Sequence, residues 1–377
     1  MPTVIVSTCN RVEIYVSGDM ASLNKVQDLW CKHKNIDKEL LLKHVNVFVG
    51  NGAIKHLYNV ACGMESMILP KIAGNIYTIL IMAIFTAFYS IIAGWLFNKF
   101  SYVDLQGIAG KILQFLFSIK IAVVLGLALY IFSFFIKETI LDNSKLWTIG
   151  IILLFGAMYC AVSGIETVGR TAEILLPFVA IPLIFAVCVG IKKIDLENYN
   201  ILFENKDLWR GLMLSLNVTA IESIVLGKDY VNKGHLKIKI PKSIVLGLLF
   251  IIGVTSVAYG VYGDIDYNLQ NFPTLEIIYT SGVFSFFQRQ EEIFVCLWIF
   301  ATVLYLSSHL FFSQDLFSKS MGLKKEIATI LIAVFVYIIS FVPDNFNQAL
   351  TEFCYVNVYG SILFVLAVPL FVGRYLK

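Results

Sequence analysis

The stretch LWRGLMLSLNVTAIESIVLGKD (208–229) decides how this chain is interpreted. Its length suits a bilayer crossing, because roughly 20 residues of α-helix span a hydrocarbon core of ~30 Å. Near its middle, however, it carries the polar residues Asn217, Thr219, Glu222 and Ser223. An ionised carboxylate at the centre of a membrane helix costs about 2.5–3.5 kcal/mol, so it normally faces a partner or a water-filled cavity. Glu222 is therefore the first candidate for a functional site.

The residues just before Glu222 suggest a weak point in this helix. The run Asn217-Val218-Thr219-Ala220 is polar and β-branched, and discontinuous helices of this kind form binding sites in transporters. We therefore predict a ligand site at these four positions together with Glu222. The alternative is an intact helix in which Glu222 forms a hydrogen bond with a neighbour.

The composition is that of a membrane protein that crosses the bilayer several times. Of the 377 residues, 58% are hydrophobic and only 15% are charged, whereas about a quarter of the residues in soluble domains are charged. From residue 71 onward, apolar runs predict about nine transmembrane helices. They fall at about 75–97, 112–136, 147–164, 174–191, 208–227, 243–262, 293–313, 326–342 and 358–373.

The sequence gives no sign of a disulfide framework, a metal site or a cofactor. Its seven cysteines are odd in number and scattered, without CxxC or Cys/His metal spacing. The basic run LKIKIPK (236–242) is partly amphipathic. Attraction to anionic lipid explains it at ~1 kcal/mol per cation, so we expect the lipid bilayer, and not nucleic acid, as its partner.

The loops between the predicted helices differ in charge. One alternate set is rich in Lys and Arg, including the run 228–242 and the run 319–325, while the other set carries many acidic residues. Because cytoplasmic loops carry an excess of Lys and Arg, we place the first set in the cytoplasm. The C-terminus is then cytoplasmic, and residues 1–70 lie outside unless a further helix preceded Pro70.

Residues 1–70 have a different composition and contain no segment of membrane length. The runs at 3–7 and 12–16 predict strands, and 23–34, 38–44 and 53–62 predict amphipathic helices. The sequence therefore predicts a small α/β unit here.

Two segments of this unit, STCNRVEIY (7–15) and KHLYNVACGMESMIL (55–69), resemble the N-terminal catalytic domain of glutamyl-tRNA reductase. The resemblance implies that Cys9 is the nucleophile toward the activated glutamyl carbonyl. It also implies that Asn10 and Arg11 hold the glutamate and that His56 is an acid/base partner. A thiolate suits this role once a neighbouring cation or imidazole lowers its pKa.

The resemblance covers only about residues 1–69. No GxGxxG occurs in the sequence, so a nicotinamide-binding domain is not indicated. A reductase without its hydride source cannot reduce its substrate. We therefore expect no enzyme activity and treat Cys9, Asn10, Arg11 and His56 as vestigial, in a fused fragment with a free thiol.

Residues 70–377 resemble the permease-like subunit of spore germinant receptors, within the amino acid–polyamine–organocation superfamily. The resemblance rests on sequence segments that follow one another in the same order as in that family: GIETVGRTAEILLPF (164–178), the Glu222 helix, FPTLEII (272–278), FQRQEEIFVCLWIF (287–300) and FVPDNFNQ (341–348). It implies an all-α, broken-helix transporter architecture of ten helices. The family's first helix is missing here, and the join with the reductase-like fragment lies near Ser66–Pro70.

The resemblance also implies a function. The chain would sense, or transport, an amino acid or similar small nutrient during spore germination, beside other germinant-receptor subunits in the inner membrane of a spore. The superfamily's substrate site lies between the unwound first and sixth helices, and the sixth corresponds to 208–227. A general amino acid permease is the first alternative, and glutamyl-tRNA reductase the second.

Two further polar residues lie within predicted spans. If Lys120 faces the cavity, it could pair with Glu222 and make both charges tolerable. Otherwise its span is shifted and Lys120 snorkels to an interface. We expect His309 to be a satisfied polar residue and not a ligand.

Overall fold

The computed structural model divides into two units, Met1–Ile68 and Leu69–Lys377. It describes residues 3–8, 11–16, 20–34, 38, 76–97, 100–165, 167–169, 171, 188, 190–199, 205–216, 222, 226–227, 253, 256–263, 266 and 290–372.

The first unit begins with a β-hairpin. Strands β1 (Thr3–Thr8) and β2 (Arg11–Val16) pair antiparallel, with Thr3 opposite Val16 and Thr8 opposite Arg11. Helix α1 (Met20–Lys34) follows. Both predicted strands are present, and the helix predicted from residue 23 begins three residues earlier. The helices predicted at 38–44 and 53–62 fall almost entirely outside the described residues.

In the described part of the second unit, all regular secondary structure is helical. Its longer helices are α2 (Ile76–Phe97), α3 (Gly107–Thr139), α4 (Leu146–Val162), α5 (Asn205–Leu216), α6 (Gln290–Met321), α7 (Lys325–Ile339) and α8 (Phe346–Gly360). A short 3₁₀ helix, Leu196–Tyr199, precedes α5. The chain continues from α8 through a π-helical segment, Ser361–Ala367, into α9 (Val368–Val372).

Three helical runs are long and apolar enough to cross a membrane: Leu80–Phe97, Gly107–Thr139 and Phe346–Val372. Helix α4 is apolar but shorter, and α6 and α7 overlap the predicted spans at 293–313 and 326–342. Most of the predicted span at 174–191 and much of those at 208–227 and 243–262 lie outside the described residues, while residues 256–263 are helical. These findings support a helical membrane protein, whereas the number of spans and the broken-helix architecture stay predictions.

One predicted boundary is wrong. We predicted the last span from residue 358, but its helix begins at Phe346. The side chain of Asn345 accepts a hydrogen bond from the backbone N–H of Gln348 and so caps the helix start. The first part of this helix is polar, and the spans were predicted from the length of apolar runs, so the prediction began too late.

The exposed surface of the helices is apolar, as lipid contact requires. On α7, Ile327, Ile330, Leu331, Val334 and Ile338 form an exposed stripe. Its buried side carries a different set that includes small and polar residues: Ala328, Thr329, Ile332, Ala333 and Val336. In a bilayer, small residues mark the faces where helices pack against each other, so this distribution agrees with a membrane-embedded bundle.

Helix α3 lies at the centre of this packing. Against α6, the hydroxyls of Ser118 and Ser313 each donate to the other residue's backbone carbonyl, at 2.8 and 2.9 Å. Against α7, a Cβ on Gly126 would lie 2.6 Å from the Cβ of Ile339 and 2.8 Å from the carbonyl oxygen of Val336. Gly126 therefore permits a helix contact that no other residue allows without a shift of the backbone.

We predict that Gly126→Ala destabilises the protein by about 1–3 kcal/mol, because the added methyl overpacks the α3–α7 contact. Gly156→Ala on α4 is the matched control, since the nearest atom to its added Cβ would be 3.6 Å away on Val303. The measurement is unfolding of the purified full chain in detergent. Equal stability of the two variants would contradict this close approach.

Candidate functional site

Glu222 is buried and paired with Lys120. Glu222 is 3% exposed, and Lys120, on α3, is 7% exposed. The Nζ of Lys120 donates to Oε1 of Glu222 at 2.5 Å. Of the two alternatives for Lys120, the structure therefore has the one in which it faces Glu222 and not an interface.

Lys120 reaches this partner from well inside the membrane helix. It lies about 20 Å from the start of α3, a helix about 50 Å long. Its aliphatic stem passes directly over the backbone of Gly360 at the end of α8. A Cβ on Gly360 would overlap Cε of Lys120 and lie 3.0 Å from Cδ and Cγ, so glycine leaves the space that the lysine occupies.

The last helical run supplies two more polar groups. Asn357 on α8 accepts from Nζ of Lys120 through Oδ1 at 3.4 Å, and Ser361 donates to Oε1 of Glu222 at 3.1 Å. These residues are four apart, so both side chains lie on one face of the helix. Each end of the ion pair thus has a polar neighbour on the same element.

The backbone is unusual where these groups meet. Ser361 begins the π-helical segment Ser361–Ala367, and such segments occur often at functional sites. Within it, the carbonyl of Phe364 accepts from the hydroxyl of Tyr102 at 2.7 Å. The ring of Phe364 stacks on Phe117 at 4.9 Å. These contacts hold the segment against α3 and the residues just before it.

Two aromatic residues complete the surroundings. Tyr89 on α2 approaches Ser361, without a hydrogen bond of good geometry among the described residues. His309 on α6 is 4% exposed and interacts electrostatically with both Lys120 and Glu222. Its Nδ1 lies 2.9 Å from the carbonyl of Tyr305, so this nitrogen carries the proton. His309 is therefore a satisfied polar residue beside the ion pair.

We call Lys120, Glu222, Asn357 and Ser361 the polar centre. It contains one positive and one negative charge, so it is neutral as a whole. Such a pair offers an anion-binding pole at the ammonium and a cation-binding pole at the carboxylate. Among the described residues, no cluster of three or more His, Cys, Asp or Glu could hold a metal ion.

The structure places the predicted site residues unevenly. Lys120 and Glu222 are together, whereas Asn217, Val218, Thr219 and Ala220 lie outside the described residues, and so do Cys9, Asn10 and His56. Arg11 is the first residue of β2. The role of all these residues in binding or catalysis stays a prediction.

Sequence reasoning missed Asn357 and Ser361. A signal was present, because the two are polar and four residues apart within VNVYGSILFVLAV (356–368). It was lost because the predicted last span began at residue 358, which left Asn357 in a loop.

We predict unequal costs for removing each charge of the pair. Lys120→Met leaves a buried carboxylate without its counter-ion and should destabilise by about 3–5 kcal/mol. Glu222→Gln also leaves a buried charge, the Lys120 ammonium, without its counter-ion, and should cost the low end of that range, about 3 kcal/mol, because the amide oxygen still accepts hydrogen bonds from Lys120 and Ser361. The double variant should regain most of the loss, since no charge is then left unpaired.

The measurement is a double-mutant cycle of chemical unfolding on the full chain in detergent. Additive losses in the double variant would mean that the two charges do not depend on each other.

Two family models match different parts of the chain. A family model described as "Spore germination protein" matches residues 68–349, and one described as "Glutamyl-tRNAGlu reductase, N-terminal domain" matches residues 2–83. The two matches overlap at the predicted join.

Curated relatives match the N-terminal part alone. The glutamyl-tRNA reductase of Ruthia magnifica subsp. Calyptogena magnifica is 40% identical over 76 residues, which is 19% of this chain and 18% of the relative. That of Priestia megaterium is 36% identical over 87 residues, 22% and 20% of the two chains. That of Citrifermentans bemidjiense is 42% identical over 82 residues, 20% and 18%. The chain thus spans about a fifth of the length of these relatives.

Both resemblances found in the sequence are confirmed. Because the spore germination model covers most of the chain, residues 68–349, the protein belongs to the spore germination protein family and carries an N-terminal segment similar to part of glutamyl-tRNA reductase.

Proposed function

We propose that this protein is a permease-like, nutrient-sensing subunit of a spore germinant receptor, and that it recognises an amino acid or a similar small nutrient. The observation that carries the proposal is the polar centre. Ionisable residues buried within membrane helices usually mark a functional site. Lys120 and Glu222 are two such residues, and together they form a neutral pair.

The ligand would bind beside the polar centre and the segment 217–220. Lys120 and Asn357 are on separate helices, and Glu222 is far from both in sequence. A ligand that binds two of them more tightly at a different helix spacing therefore shifts the helices toward that spacing. Other receptor subunits in the spore inner membrane would detect this change. Sensing requires only a shift between two states, whereas transport requires that the site open to both sides in turn.

We predict that Glu222→Gln weakens the germination response to a nutrient while the folded protein remains. The change removes the negative pole but keeps an oxygen that can accept hydrogen bonds. The measurement is the nutrient concentration needed for half-maximal germination of spores, with the amount of membrane-inserted protein determined by immunoblot. A response equal to that of the unmodified spores would remove Glu222 from the site.

A general amino acid permease is the alternative within membrane proteins. Purified protein in proteoliposomes should bind a labelled amino acid but accumulate little of it if it is a sensor. Uptake that continues over many turnovers and depends on Glu222 would favour the permease. No contact in the described part of the chain favours this alternative over sensing.

For the N-terminal unit we predict no reductase activity. The full chain, given glutamyl-tRNA and NADPH, should not oxidise NADPH above the rate of its Cys9→Ser variant, because only a segment of the reductase N-terminal domain is matched. Turnover that disappears in Cys9→Ser would revive the enzyme hypothesis.

A further inference from the structure

The side-chain amide of Asn357 carries a buried donor that the polar centre does not use. Asn357 is 1% exposed, and its Nδ2 has no hydrogen-bond partner among the described residues. The orientation of the amide is fixed by chemistry, because an ammonium group can only donate. Oδ1 must therefore face Lys120, which leaves the NH₂ group beside the positive pole without a hydrogen-bond acceptor among the described residues.

Such a donor is costly to bury, and a native structure usually has a reason for it. Because it lies next to the Lys120 ammonium, the site has two adjacent hydrogen-bond donors that both need an acceptor. Together they suit a carboxylate, which accepts through two oxygens. At the other pole, Glu222 Oε1 and the hydroxyl of Ser361 suit an ammonium group.

We propose that a zwitterionic ligand binds between Lys120 and Glu222. Binding replaces the ion pair between these two residues with two ion pairs, one from each residue to the ligand. The inference rests on the proposed function and specifies its ligand class. The ligand's carboxylate replaces Glu222 on Lys120 and takes the free Nδ2 of Asn357. Its ammonium replaces Lys120 on Glu222 and takes the hydroxyl oxygen of Ser361.

The exchange works because it leaves every buried charge with a counter-ion. A zwitterion brings one charge of each sign, so both Lys120 and Glu222 remain paired after they separate. A ligand with a single charge pairs with one of them and leaves the other buried and alone, which is strongly unfavourable. An uncharged ligand such as a sugar leaves both alone. The polar centre therefore selects for both charges at once.

Asn357 is the specificity-determining residue in this arrangement. It is satisfied only when a carboxylate is present, so the unliganded state pays for the unmade hydrogen bond and the bound state does not. Gly360 contributes because it has no side chain, so that the aliphatic stem of Lys120 can lie directly against its backbone. The ammonium can thus move away from Glu222 without meeting a Cβ.

The test measures thermal stabilisation of the full chain in lipid nanodiscs, because a ligand that binds the folded state raises the unfolding midpoint. Each neutral amino acid is tested singly, and the strongest stabiliser is then compared with its own amide and its own hydroxy acid. We expect both analogues to need at least about 100-fold higher concentration for the same shift, since each lacks one charge.

Asn357→Leu tests the role of the unused donor. We expect about 10-fold weaker binding of the same amino acid. The unliganded midpoint should stay close to that of the original protein, because removal of an unsatisfied buried donor offsets the loss of the long 3.4 Å hydrogen bond from Lys120 to Oδ1. Ser133→Ala is the matched control. Ser133 on α3 is also buried, with a hydroxyl that lacks a hydrogen-bond partner among the described residues, and its loss should leave binding unchanged.

Three results would overturn the proposal. The first is equal stabilisation by the amino acid and by either analogue. The second is unchanged binding in Asn357→Leu or, should that variant not fold, in Lys120→Met/Glu222→Gln. The third is stabilisation of the original protein by uncharged nutrients such as glucose or inosine and by no amino acid. In that last case a weakened germination response in Glu222→Gln would still support the proposed sensing function.

Discussion

The need to neutralise a charge inside a membrane protein is the constraint on which the described bundle depends. Lys120 and Glu222 are both buried, and neither can remain ionised there without the other. Their pairing fixes three parts of the chain relative to one another: α3, the position of Glu222, and the end of α8. Gly360 leaves room for the lysine stem, and Ser361 supplies a hydrogen bond to the carboxylate. The π-helical backbone begins at the same residue, so a local departure from α-helix coincides with the charge contact.

The pair can be held at one distance only if the helices around it are held as well. Lipid tails are as apolar as leucine, so burial alone does not drive membrane helices together, and close packing and polar contacts do. The reciprocal bonds between Ser118 and Ser313 lie only two residues from Lys120. The contact of Gly126 with α7 lies on the other side of it. These contacts fix α3 along its length, and thereby fix the ammonium group.

The sequence predicted those features that follow from local pattern. The hairpin of β1 and β2, the spans of α2 and α4 and the buried acid at 222 could be predicted from periodicity and hydrophobicity. The start of α8 could not, because its first turns are as polar as a loop and only the packing of Phe346 and Ala349 into the bundle makes them helical. Asn357 was missed for the same reason, because it lay outside the predicted span. The partner of Glu222 was one of two alternatives, since a sequence gives the depth of a lysine but not the direction of its side chain.

A second buried charge in the same bundle helps to separate structural from functional pairing. Asp315 on α6 is 1% exposed and pairs with Lys319 and Lys325, at 2.7 and 3.0 Å. Both lysines are partly exposed, so they keep water around their charges, and the bridge joins the ends of α6 and α7 in the way that stabilises a helix connection. Lys120 and Glu222 have no such access, and a pair of this kind is often no more stable than apolar residues of the same volume. Stability therefore gives little reason to retain the inner pair, whereas a site that must respond to a charged ligand gives a strong one.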